Sequence, residues 1–193
     1  ISAERICAEL MKLITSDHPD YLKVAYEAGI TRIILPEFDE MMRTPQNNPH
    51  HCYTVGEHTL KSMCAVEADK TLRLTMLLHD IGKPNCFTVD ERGQGHFCGH
   101  PAESARLAAA MLRRPRADRA TAETVVRLVS WHDRNIPRTR PGVDRAQGAL
   151  GERGLPRPQE VKRGAKLAQA PDYRLRREEI DRGEAGLEQP LGE

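Results

Sequence analysis

The sequence predicts an all-α domain, a bundle of short helices interrupted once by a small β-hairpin. Three observations carry that expectation. Apolar residues recur at three- and four-residue spacing through most of the chain, which is the helical period. Capping residues and breakers separate these segments. Only the stretch 86–98 reads as strand, on both sides of a tight turn. With 30% charged and 4% aromatic residues in 193, the chain suits a helix-rich domain large enough for one sizeable core.

In order along the chain, Ser2 is placed to cap a first helix with Ile6, Leu10, Leu13 and Ile14 on one stripe. Asp17 is placed to cap a second, from His18 through Ala28, which Gly29 closes. Tyr21, Val24 and Ala25 are expected to face inward there, and His18 to stay at the surface. Ile30 to Leu35 is a short apolar piece broken by Pro36. The run T-P-Q-N-N-P-H-H, from Thr44 to His51, reads as an irregular loop. Thr54 opens the next helix, with His58 one turn in among Val55, Leu60, Met63, Cys64 and Val66. Asp69 caps the helix after that, which runs through L-R-L-T-M-L-L into His79–Asp80 before Gly82 and Pro84 stop it.

The hairpin comes next, with Cys86-Phe87-Thr88-Val89 and Gly95-His96-Phe97-Cys98 flanking the turn-forming D-E-R-G. Pro101 suits the first turn of a helix, P-A-E-S-A-R-L-A-A-A-M-L, which puts His100 at its mouth. Another helix carries Val125, Val126, Leu128 and Val129 and ends in Trp131-His132-Asp133. Prolines and glycines from Pro137 to Pro158 leave room for one short helix near Val143–Leu150. A last helical region spans Gln159–Gln169 and resumes after Pro171 as Y-R-L-R-R-E-E-I, with a frayed tail.

Bulk properties exclude some functions. A net charge of +1 provides little long-range steering. The arginine excess from Arg113 to Arg145 is ordinarily a solvated helix face, with phosphate contact as the alternative. Five cysteines without a C-x-x-C pair argue against a disulfide framework and for a reducing, cytoplasmic setting. No apolar run approaches the roughly 18–20 residues a bilayer span needs, and no signal-peptide pattern opens the chain, so no membrane partner is expected. Ile1 in place of methionine suggests a piece of something longer.

Single histidines in such a sequence usually belong to the core or the surface. Here His58, the pair His79–Asp80, His100 and His132 fall at helix ends or on faces of adjacent helices, where a bundle can gather them. Several imidazoles and a carboxylate are costly to bury without a shared cation. Nitrogen and oxygen ligands of this kind suit borderline divalent metals. The residues therefore point to a metal site centred on His79–Asp80.

The motifs V-G-E-H-T-L, L-L-H-D-I-G-K-P, H-F-C-G-H-P-A-E-S-A and L-V-S-W-H-D, in that order, resemble the HD-domain metal-dependent phosphohydrolases. More narrowly, they are similar to the HD domain in the C-terminal body of bacterial tRNA nucleotidyltransferases, the CCA-adding or poly(A) polymerase-like family. I-S-A-E-R-I-C-A-E-L-M-K-L-I-T-S-D-H-P-D and P-E-F-D-E-M-M match that family's flanking helices, so the resemblance covers about residues 1–175. It implies flanking helices over 1–45, an HD domain over 46–175 and a C-terminal tail over 176–193.

The resemblance also implies site roles. His58, His79 and Asp80 would hold one metal, and Asp80 would bridge to a second held by His100 and His132. Lys83 would meet a phosphate oxygen and act with Asp80 in catalysis, while Arg134 and His51 or His96 would line the substrate side. One or two ions of manganese, iron, zinc, nickel or cobalt would activate water for attack on phosphorus. The implied function is hydrolysis of a phosphate ester of a nucleotide or RNA terminus, a 2′,3′-cyclic phosphodiester among the options, with tRNA as a further partner.

Two departures qualify the match. The family's last motif, K-R-A-D-x-L-A-Q, corresponds to Lys162-Arg163-Gly164-Ala165-Lys166-Leu167-Ala168-Gln169, with Ala165 in place of an aspartate ligand. Asp133, Asp172 or water would have to fill that position. The Gly-Ser loop and paired aspartates of the nucleotidyltransferase head are also absent from the sequence, so nucleotide addition is not expected of this chain alone. The competing reading is a non-catalytic module, with metal or without, that braces a tRNA-binding body.

Overall fold

A computed structural model describes residues 2–47, 53–113, 118–134 and 158–168. The described chain is helical, with one two-stranded antiparallel sheet. The helices are α1 (Ala3–Ile14), α2 (Leu22–Glu27), α3 (Thr31–Ile34), α4 (Pro36–Arg43), α5 (Val55–Cys64), α6 (Lys70–Leu78), α7 (Lys83–Cys86), α8 (His100–Arg113), α9 (Arg119–Trp131) and α10 (Pro158–Leu167). A single 3₁₀ turn, Pro19–Tyr21, precedes α2. Among the described residues no helix is long and apolar enough to cross a membrane. Cys7, Cys64, Cys86 and Cys98 are free thiols.

The helix starts are set by their caps. Ser2 Oγ accepts from the Arg5 amide at 3.4 Å, and Asp69 Oδ1 accepts from Thr71 and Leu72 at 2.9 Å each. Thr54 and Glu57 form a reciprocal capping box, with Thr54 Oγ1 taking the Glu57 amide at 3.2 Å and Glu57 Oε2 the Thr54 amide at 3.1 Å. This box fixes where α5 begins, and so where His58 stands. Pro36 does more than break the preceding apolar piece. It occupies the first position of α4, where a missing N–H costs nothing.

The second helix departs from expectation. Asp17 does not cap it; the 3₁₀ turn comes first, and Ser16 Oγ accepts from the His18 amide instead. A 3₁₀ turn advances about 120° per residue and shifts the phase of the helix after it. The buried stripe becomes Leu22, Ala25 and Tyr26, with Tyr26 set edge-on to Phe38, while Tyr21 and Val24 are more than half exposed. His18 stays at the surface, stacked on Tyr21.

Helix α6 is the axis of the bundle. Every residue from Leu72 to Leu78 is buried, and α1, α5, α8, α9 and α10 all pack against it. A helix apolar all round belongs in the middle of a core. Its polar exceptions are satisfied: Arg73 donates to the carbonyls of Glu67 and Ile14, and Thr75 to that of Thr71. Gly164 lets α10 close onto this core, because a Cβ there would lie 2.6 Å from Val66 Cγ1 and 3.1 Å from Met76 Sδ.

The hairpin pairs β1 (Thr88–Val89) with β2 (Gly95–His96), Thr88 opposite His96. Asp90 Oδ1 takes the amides of Arg92 and Gln94 to shape its turn, which Gly93 completes at φ +77°. The helices expected near Val143–Leu150 and after Pro171 lie outside the described residues.

Candidate metal centre

Three of the four site histidines are placed by the same local device. His79 and His132 are the C-cap residues of α6 and α9, and His100 opens α8. In each, Nδ1 donates to the carbonyl three residues earlier: His79 to Met76 (2.8 Å), His100 to Phe97 (2.9 Å) and His132 to Val129 (2.6 Å). The carbonyls of Met76 and Val129 belong to the last turns of their helices, where acceptors are left for side chains; that of Val129 also takes the His132 amide at 3.4 Å. His58 projects from the first turns of α5, and its Nδ1 meets the Ala168 carbonyl at 3.4 Å.

A carbonyl can only accept, so each Nδ1 carries a ring proton, and Nε2 is the atom each neutral ring can offer to a metal. All four Nε2 atoms converge on Asp80. His79 and His58 lie 3.2 and 3.5 Å from Oδ2, and His100 and His132 each lie 3.4 Å from Oδ1. The nitrogens also face one another, His58 to His79 at 3.3 Å and His100 to His132 at 3.1 Å. Two imidazole nitrogens at that separation need a shared proton or a metal ion between or beside them. Two overlapping triads result, His58–His79–Asp80 and Asp80–His100–His132, with ligand atoms in each within 4.8 Å of one another. Imidazole nitrogens with one carboxylate form a donor set that fits a divalent ion.

Asp80 is the hub, 2% exposed. Burial alone would raise its pKa, but the fields of His79 and Lys83 and the contacts from His100 and His132 outweigh that. Together they hold the carboxyl well below the usual carboxylate range. Lys83 Nζ sits 2.8 Å from Asp80 Oδ2 and donates to Gln46 Oε1 at 3.0 Å. The turn carrying Asp80 is clamped to α8, where the Gly82 amide donates to Ser104 Oγ at 2.9 Å. A Cβ on Gly82 would lie 2.5 Å from the Ser104 nitrogen, so no larger residue fits this approach.

The HD-domain family profile matches residues 50–180, more than half of the chain. The chain belongs to the HD-domain family. Residues 1–42 match a second family, described as a probable RNA- and SrmB-binding site of polymerase A. Similar relatives include a CC-adding tRNA nucleotidyltransferase of Thermus thermophilus, 32% identical over 149 residues, covering 74% of this chain and 34% of that protein. A multifunctional CCA protein of Halorhodospira halophila is 34% identical, over 67% of this chain and 32% of its own length. An A-adding tRNA nucleotidyltransferase of Deinococcus radiodurans is 33% identical, over 69% and 32%. The chain therefore spans about a third of the length of these relatives.

In this HD domain the centre opens into a cavity of about 450 Å³. Of the residues expected on the substrate side, Lys83 lines it. So does His96, with its Nε2 2.9 Å from Asp90 Oδ2. Arg134 does not line it; its guanidinium stacks on the Trp131 ring at 4.5 Å, where a flat cation finds an aromatic face on the same helix end. His51 and Asp172 lie outside the described residues. Ala165 faces the cavity, and Asp133 lines it without joining either triad.

Sequence reasoning missed Gln46, which is 2% exposed, holds Lys83 and donates to the Tyr53 carbonyl at 3.2 Å. Nothing in an irregular loop marks one glutamine among asparagines and prolines. It also passed over Lys162 and Lys166, which line the cavity beside Ala165. The i, i+4 spacing of these two lysines was the available signal.

Proposed function

We propose that this HD domain is a divalent-metal phosphohydrolase that cleaves a phosphate ester of a nucleotide or an RNA terminus, a 2′,3′-cyclic phosphodiester in particular. The observation that carries the reading is the convergence of four imidazole Nε2 atoms on one buried carboxylate at the floor of an open, lysine-lined cavity. His58, His79, Asp80, His100 and His132 would hold the metal, in one or two positions. When bound, manganese, iron, zinc, nickel or cobalt supplies Lewis acidity and lowers the pKa of water near neutrality.

The chain's own residues do the rest. Asp80 stays ionised and orients the imidazoles around its two oxygens. Lys83 uses two of its three N–H donors on Asp80 and Gln46, leaving one for a phosphate oxygen. Lys162 and Lys166 put further positive charge on the cavity wall, which favours an anionic substrate. An RNA end is the preferred substrate because residues 1–42 match an RNA-binding family and the relatives are tRNA nucleotidyltransferases. On this reading residues 1–45 contact RNA and 46–175 carry the chemistry.

The test is hydrolysis of bis-p-nitrophenyl phosphate and 2′,3′-cyclic AMP by metal-loaded protein. Turnover that Asp80→Ala abolishes supports the proposal. Metal bound at full occupancy with no turnover of either ester would overturn it.

A further inference from the structure

The two oxygens of Asp80 stand in different surroundings. Oδ1 faces the ring nitrogens of His100 and His132, each at 3.4 Å. Oδ2 faces His79 and His58 and also receives Lys83 Nζ at 2.8 Å, the shortest contact Asp80 makes in this cluster. Lys83 is 8% exposed and held in place, by Gln46 Oε1 at 3.0 Å and by the face of Phe97 at 5.2 Å. A divalent ion in the His58–His79 half would compete with an ammonium group for the same oxygen. It would also sit beside that positive charge among side chains no more than 8% exposed, where water screens like charges least.

Other features weaken the same half. Ala165 offers no ligand where the cavity wall passes it. Charge points the same way: Asp80 is the one carboxylate in the two triads, and lysines 83, 162 and 166 already line the cavity. A second dication would find no further carboxylate in either triad, and Asp133 on the cavity wall is set against three lysines there.

We propose that Lys83 is the resident cation of the His58–His79 half, so that the centre takes one tightly held divalent ion at Asp80 Oδ1, His100 and His132. This rests on the metal-centre reading above and narrows it from one or two ions to one. Lys83 is then a positioning residue for the metal, acting through the oxygen it occupies.

The experiment titrates the chelator-stripped full chain with Co²⁺, monitored by visible d–d absorption and calorimetry. Wild type is expected to bind one equivalent tightly and Lys83→Met two. His132→Ala should lose the tight equivalent and His58→Ala should keep it, with circular dichroism confirming the fold of each variant. The contrast between the two histidine variants decides the matter even if Lys83→Met does not fold. Two tight equivalents in wild type, an unchanged count in folded Lys83→Met, or loss in His58→Ala with retention in His132→Ala overturns the proposal and leaves the metal centre standing. No tight equivalent in wild type overturns both.

Discussion

Between Val55 and His132 the bundle buries four histidines, an aspartate and a lysine, while the helices before it leave Val24, Ile30 and Ile33 at 58%, 49% and 81% exposure. The two regions depart from ordinary burial in opposite directions. In the bundle, the apolar axis of α6 and its neighbours offsets the desolvation cost of a polar cluster, and fixed backbone carbonyls orient each imidazole. In the N-terminal helices no such cluster exists among the described residues, and the apolar side chains that miss the core remain outside. Burial in the first region therefore holds a polar cluster together, and sequence changes there should have large effects. Changes to the exposed apolar residues of the second should have small ones.

The largest effect expected is from Asp80→Ala, which removes the only carboxylate common to both triads. Hydrolysis should fall at least about 100-fold, measured as turnover of a chromogenic phosphodiester with metal in excess. Next comes the core beneath the site. Met76 and Leu77 are 0% and 2% exposed, and truncating either to alanine should cost roughly 2–5 kcal/mol in denaturant unfolding. Ile33→Ser in the other region should stay within about 0.5 kcal/mol of wild type. Equal losses at Met76 and Ile33 would erase the contrast between the regions.

Between these lies Gly164→Ala, which must displace Val66 and press on Met76, and should cost about 1–3 kcal/mol. The smallest effect concerns Glu103, which ties α7 to α8 by accepting from Asn85 at 2.7 Å. Its hydrogen bonds to Arg106 and then to Asn85 lower its pKa from 4.5 to about 2. Because the folded value is depressed, its contribution is fully present above about pH 4.5 and fades as pH falls toward 2. Glu103→Gln should flatten that part of the stability profile, read from thermal melts between these limits.

Much of this was legible in the sequence because it is local. Capping by Ser2, Thr54 and Asp69 depends on residues within one turn, and so does the Asp90 turn of the hairpin. The candidate ligands were legible because helix ends can be read from breakers, and three of the four histidines stand at such ends. The expectations that failed depended on phase or on distant neighbours. One 3₁₀ turn at Pro19 rotated the next helix and moved its buried face from Tyr21 and Val24 to Leu22 and Tyr26. Gln46 meets Lys83 from 37 positions away, and no periodicity encodes that contact.

Elemental analysis of the purified protein alongside Asp80→Ala tests the central claim most directly. Wild type should carry a stoichiometric divalent transition metal that survives desalting, and the folded variant should carry none. Equal metal content in both proteins, or a wild-type centre that stays metal-free after exposure to manganese, nickel, cobalt and zinc, would contradict the account.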